Sequence, residues 1–137
     1  MPMIEISLHT LVKPTERTER VIVSLDNIFS GLSMDISEEG IYAYGGLNSL
    51  KSFHRLLREE RILDTARAVF VEGRTGDSFQ FSLCKQAAFM GKVSFPIVEE
   101  PLGSIHVQIR GDGNITRIID WLAPPTKDGR PIVEIDI

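Results

Sequence analysis

Residues 50–73, LKSFHRLLREERILDTARAVFVEG, decide how this chain is built. Between Leu47 and Glu72 there is no glycine or proline, so intrinsic propensity alone draws one long helix. The apolar pattern disagrees. Leu50, Phe53, Leu56 and Leu57 form one stripe, while Ile62, Leu63, Ala66, Val69 and Phe70 form a second, centred about 140° away at 100° per residue. A straight helix would aim its halves at different partners. The phase shift therefore predicts a break at Glu59 to Arg61, with two helices packed as a corner. The alternative is one long helix whose second face meets another subunit.

Working outward, Gly73 to Asp77 reads as a turn, and Ser78 to Leu83 alternates with Phe79, Phe81 and Leu83 inward. Cys84, Ala87, Ala88 and Gly91 then recur at helical spacing and make a small-residue face suited to close packing. Pro96 and Pro101 bracket a loop, Ser104 to Arg110 is a strand, and Asn114 is placed to cap a helix through Ile115, Ile118, Ile119 and Leu122. Residues 124–131 read as a linker, and 132–137 alternate as a terminal strand that must pair with this sheet's edge or another subunit's.

Upstream, Met3 to Val12 is a half-buried strand, and Pro14 and Thr15 stop it and cap a helix carrying Val21, Ile22, Leu25, Ile28 and Phe29. Glu16 and Glu19 fall in its expected first turn and Gly31 ends it. Ser33 to Ser37 and Ile41 to Tyr44 read as a hairpin, and Asn48 or Ser49 can cap the helix at Leu50. The sum is an α+β fold: a single domain over residues 1–137, an antiparallel sheet of about five strands with helices packed against it.

The totals narrow the function classes. At 137 residues, 42% hydrophobic and 25% charged, the chain has the composition of a soluble globular domain rather than a disordered one. The single cysteine, Cys84, cannot form an internal disulfide, and no apolar run approaches the roughly 20 residues needed to cross a membrane. With no leader pattern, the expected compartment is the cytoplasm. The formal charge of −4 argues against a surface that attracts phosphate backbones everywhere. Its distribution is uneven: residues 1–50 carry 3 basic and 7 acidic side chains, residues 51–92 carry 8 and 5, and residues 93–137 carry 4 and 7. Only the middle is basic.

Leu-Leu-Arg at 56–58, Arg-Ile-Leu-Asp-Thr-Ala-Arg at 61–67, Phe-Ser-Leu-Cys-Lys-Gln-Ala-Ala-Phe at 81–89 and Gly-Lys-Val-Ser-Phe at 91–95 resemble an archaeal family, uncharacterised protein family 0201. The likeness begins at Val12-Lys-Pro-Thr-Glu and covers about the first 110 residues. It implies an α+β fold similar to the ribosomal protein that binds 5S ribosomal RNA. Some relatives resemble fusions to, or neighbours of, a P-loop nucleotide kinase. The family supplies no catalytic residues to carry over.

The residues themselves offer one candidate surface. Lys51, His54, Arg55 and Arg58 lie opposite the apolar stripe of the first middle helix, and Arg61, Arg67, Lys85 and Lys92 extend them into a basic patch that could meet phosphates. No aromatic residue interleaves it, so the stacking that single-strand binders use is missing. Arg55 with Glu59, and Asp64 with Arg67, are spaced to pair on a helix surface. His9 and His106 project from the polar sides of their strands and would approach if those strands are neighbours. Two ligands do not make a metal site, and Glu5 or Gln108 would have to converge. Neither 73–78 nor 111–114 has a phosphate-loop pattern. No catalytic, cofactor or metal set is expected. The leading expectation is a non-catalytic homodimeric binding module, followed by RNA association through the basic strip and, third, partnership with a nucleotide kinase.

Overall fold

Alternation in β1 (Ile4–Leu11) sends Ile4, Ile6 and Leu8 to a buried side and Glu5, Ser7 and His9 to the other. The same division holds across the neighbouring strands, so one sheet face is apolar and covered while the other stays open. The computed structural model describes residues 4–96 and 103–137. Met3 and Pro101, parts of the expected first strand and loop, lie outside the described residues.

The chain continues through α1 (Thr18–Ile28), β2 (Ser33–Ile36), β3 (Gly40–Gly45), α2 (Leu47–Glu59), α3 (Leu63–Glu72), β4 (Arg74–Thr75), β5 (Ser78–Cys84), α4 (Lys85–Phe89), β6 (Ser104–Gly111) and α5 (Ile115–Leu122). Two further two-residue strands, β7 (Thr126–Lys127) and β8 (Arg130–Pro131), form a separate hairpin. The main sheet has six strands in the order β2-β3-β1-β6-β5-β4, with every neighbouring pair antiparallel. The sixth strand is β4, formed where the sequence suggested only a turn, and its pairing with β5 turns at Gly76, whose φ is +60°.

The helical corner forms as the phase shift requires. Arg61 adopts φ +56°, Ile62 N–H bonds to the Leu57 carbonyl at 3.1 Å, and Arg61 N–H to the Arg58 carbonyl at 3.1 Å. This pair of bonds closes α2 in a left-handed cap usually built on glycine. After the turn, Phe70 of α3 lies 6.1 Å from Phe53 of α2, so both stripes reach one core. Phe81 stacks on Phe53 at 5.6 Å between centroids and Phe79 meets Phe70 at 4.9 Å, tying that core to β5. One contiguous apolar cluster includes residues of β1, β3, β5, β6 and all five helices.

Several local expectations are corrected. The N-cap of α1 is Arg17, not Thr15, because Glu16 folds back before the helix begins: its carboxylate accepts from Lys13 N–H at 2.9 Å. Helix α2 starts at Leu47 behind Gly46, so Asn48 and Ser49 lie inside its first turn rather than capping it. A side chain at Gly45 would collide with Ser49, and glycine there permits this close start. Asn114 occupies the N-cap of α5, yet its side chain makes no capping bond.

Cys84 ends β5, so the small-residue helix is only Lys85–Phe89. Its carbonyls at Ala88 and Phe89 accept from Asn27 of α1, each at 3.0 Å, and Gly91 at φ +77° closes its C-terminus. The expected terminal strand is not formed within the chain: residues 132–137 carry no strand, and the pairing occurs instead inside the expected linker, between β7 and β8. Side-chain contacts hold the tail, with Glu134 on Arg58 and the Asp136 carbonyl accepting from Arg117 at 2.6 Å.

Candidate nucleic-acid interface

The basic strip does not assemble as one surface. Lys85 is 4% exposed, and its ammonium donates to Glu16 at 3.0 and 3.2 Å and to the Leu11 carbonyl at 2.7 Å. It begins a helix that packs toward α1, so it is a buried strut and is removed from the patch. Arg58 is similarly committed. It donates to both Glu134 oxygens at 2.6 and 2.7 Å and to the carbonyls of His54, Trp121 and Leu122 at 2.9 to 3.0 Å. Arg67 bonds Asp120 and the Ala123 carbonyl, both at 2.9 Å.

His54 stacks on Trp121 with centroids 4.6 Å apart, and burial, reinforced by the Arg58 charge, holds its pKa below the ordinary imidazole value. Lys51, Arg55, Arg61 and Lys92 are exposed, with Arg55 paired to Glu59 at 3.3 Å. The expected pair Asp64–Arg67 is replaced: Asp64 takes the Thr126 hydroxyl and Arg67 takes Asp120. Arg58, near the end of α2, and Arg67, midway along α3, reach over to the carbonyls at the C-terminal end of α5.

The open sheet face has the opposite character. Antiparallel register places Asp35, Tyr42, His9, His106 and Ser82 in one row across β2, β3, β1, β6 and β5. A parallel row holds Ser33, Tyr44, Ser7, Gln108 and Gln80. His9 stacks on Tyr42 with centroids 4.3 Å apart and lies 6.5 Å from His106, whose Nδ1 is 3.1 Å from the Ser82 hydroxyl. The two histidines are thus directly opposite each other. Desolvation, and secondly the neighbouring His106, hold the His9 pKa below the ordinary imidazole value. Among the described residues no group of three His, Cys, Asp or Glu side chains is placed to hold a metal ion.

Tyr42 and Tyr44 are 50% and 49% exposed, an unusual degree for aromatics that strand pairing could have turned inward. Two shallow depressions, of about 320 and 490 Å³, cover the rows and meet at Ser7, Tyr44 and Gln108. Arg110 and Glu5 face each other at the end of the second. The tyrosines were not singled out by motif or charge. Their signal lay in the alternation of β3, where Ile41 and Ala43 are buried and the intervening positions are both tyrosine.

A family model described as RNA binding matches residues 5–111. Among curated relatives, a UPF0201 protein of Metallosphaera sedula is 41% identical over 128 residues, covering 88% of each chain. The chain belongs to the archaeal UPF0201 family. A UPF0200/UPF0201 protein of Archaeoglobus fulgidus is likewise 41% identical over 134 residues, 97% of this chain; the chain spans 41% of that relative's length. The crystal structure of a UPF0201 protein from Methanococcus jannaschii superposes with a TM-score of 0.84 at 36% identity, over 94% of this chain and 99% of that one. The α+β architecture is therefore the UPF0201 fold. The matched span runs from β1 through β6, so it contains both rows of the open face and leaves out Trp121 and Glu134.

Proposed function

We propose that this UPF0201 protein binds RNA, with the open sheet face as the contact surface. The observation that carries the reading is the row Tyr42–His9–His106, an aromatic stack across three strands in which Tyr42 and His106 are exposed and His9 is half-buried. Aromatic side chains on an open sheet give bases a stacking platform, worth about 1–3 kcal/mol per base. Gln80, Gln108, Ser7 and Ser82 surround the stack with donors and acceptors. The family description and the span it matches support the reading. The likeness to a 5S-rRNA-binding ribosomal protein implied by the sequence agrees with it, but the sheet-face reading does not depend on that likeness.

The test is a fluorescence-anisotropy titration of a labelled RNA hairpin bearing a long unpaired loop with the intact chain, in parallel for Tyr42→Ala with Tyr44→Ala and for Lys51→Glu with Arg55→Glu. Removing the tyrosines should weaken binding about 5- to 150-fold, the range of one stacked base. The charge reversals on α2 should change it far less. Loss confined to the α2 variant would move the interface to the helices, and no binding by the wild type at low salt would end the proposal.

A second reading has one observation in its favour. Leu11, Tyr42 and Tyr44 leave exposed apolar surface on the open sheet face, and such a face can pair with its own copy across a two-fold axis. The homodimer expected from the sequence would then form here. Sedimentation equilibrium of the wild type and of the tyrosine double variant distinguishes the two, since only a dimer through this face would dissociate with the substitution.

A further inference from the structure

We infer that the ligand of the open face is a single strand of RNA with unpaired bases, held through its bases far more than through its phosphates. This rests on the reading of that face as an RNA surface and specifies what kind of RNA it takes.

Spacing is the first argument. Side chains on one face of a strand repeat every two residues, about 6.6–6.8 Å. The row of Tyr42 and His9 and the row of Tyr44 and Ser7 are separated by that step. It is about twice the roughly 3.4 Å rise per nucleotide of a duplex DNA strand. Consecutive nucleotides whose bases each engage one row are therefore unstacked, as single strands and loops allow and a duplex does not. The first depression, about 320 Å³, spans both rows, and the second, about 490 Å³, continues from the Tyr44 row to Glu5 and Arg110.

Chemistry is the second. Gln80 and Gln108 each carry amide donors and an acceptor and lie side by side across β5 and β6, with Gln108 spending one donor on the Ser78 hydroxyl at 3.4 Å. Groups of this kind read Watson–Crick edges, which pairing hides in a duplex and a single strand leaves free.

Charge is the third. The fixed charges on the rows and their end are Arg110 against Glu5 and Asp35, which sum to −1, and the depression beyond Arg110 adds Asp77 and Asp112. With the whole chain at −4, little phosphate neutralisation is available. For single strands log affinity falls with log salt at about 0.7 per phosphate contact. One contact, through Arg110, gives less than about a 3-fold loss between 50 and 200 mM salt.

The deciding experiment titrates the intact chain against a labelled eight-nucleotide RNA of mixed sequence, alone and annealed to its complement, at both salt concentrations. Tyr42→Leu, which keeps an apolar side chain on the strand but no ring, and Tyr42→Phe, which keeps the ring, are measured alongside. The single strand should bind at least about 10-fold more tightly than the duplex, with a salt loss under about 3-fold. Tyr42→Leu should weaken it about 5-fold or more, and Tyr42→Phe should restore it. Duplex binding equal to or tighter than single-strand binding overturns the inference while leaving RNA binding intact. So does a 10-fold or greater salt loss. If neither RNA binds at low salt, the RNA reading and this inference fall together.

Discussion

Arg58 on α2 makes five hydrogen bonds, to two backbone carbonyls of α5, one of its own helix, and both oxygens of Glu134. Tyr42 on β3 is half exposed and touches only its neighbour in the row, His9, among the ring contacts of the described residues. Both sit in stretches that look functional, one for its charge and one for its aromatic ring, but the fold uses them in opposite ways. On the helix side, long cationic side chains satisfy the last carbonyls of α5 and, at Lys85, the Glu16 carboxylate and the Leu11 carbonyl. On the sheet side, the backbone is already satisfied by the ladder on both flanks, so the side chains are not needed to complete it; the rows carry only the Ser82–His106 contact at 3.1 Å and a 3.4 Å bond from Gln108 to the Ser78 hydroxyl among the described side-chain bonds. Charge near helix ends is therefore a weaker sign of a binding surface here than an uncommitted row on a sheet.

The contrast breaks first, and most heavily, at Lys85. If that residue is a strut, Lys85→Ala leaves the Glu16 carboxylate buried without its ammonium, and unfolding in urea should show a loss of about 3–5 kcal/mol. Changing both partners, Lys85→Met with Glu16→Leu, removes the stranded charge and should recover much of it. A single substitution costing under about 1 kcal/mol would place Lys85 among ordinary surface ion pairs and return it to the patch.

A smaller effect lies at Arg61. Its left-handed conformation costs a non-glycine residue roughly 1–2 kcal/mol, part of which glycine gives back through its freer unfolded chain. Arg61→Gly should therefore stabilise the protein by about 0.5 kcal/mol or slightly more. Loss of stability would mean that the Arg61 side chain holds the corner in some way its exposure does not suggest.

These residues also mark what the sequence made legible. The corner at Glu59 to Arg61 could be read because burying two stripes is worth more than uninterrupted helix propensity, and the stripes carry their own phase. The strands with strict alternation were readable for the same reason, since period two fixes a buried side. What depended on distant partners was not readable. Nothing local says that Glu16 will leave its helix to meet Lys85, 69 positions along the chain. Nor does it say that Arg58 will reach carbonyls more than sixty residues away. The tail 132–137 alternates like a strand, yet it joins neither edge of the sheet and is held by the Glu134 side chain and the Asp136 carbonyl instead. The row Tyr42–His9–His106 needed the strand order β3-β1-β6, which alternation within each strand cannot supply.

The smallest expected effect uses pH to separate the two sides again. His54 is held below its ordinary pKa by burial against the helix layer and then by Arg58, with Glu134 opposing. The Glu134 carboxyl is itself held low, first by its hydrogen bond from Arg58. A depressed folded pKa means that the unfolded chain binds the proton more readily, so stability falls as pH drops. For His54 the loss begins as pH falls below the ordinary value of 6.5, and for Glu134 it begins below 4.5. His9 adds to the first window through its own desolvation. Urea midpoints at pH 7.5 and 5.5 should therefore show the wild type weaker at the lower pH, with His54→Gln reducing the difference and His54→Gln with His9→Gln reducing it further. RNA affinity should separate them: His54→Gln, half-buried against Trp121 on the helix side, leaves it unchanged at pH 7.5, whereas His9→Gln lowers it by removing a ring from the row. Equal effects of the two substitutions on RNA affinity would erase the distinction between the committed helix side and the open sheet face.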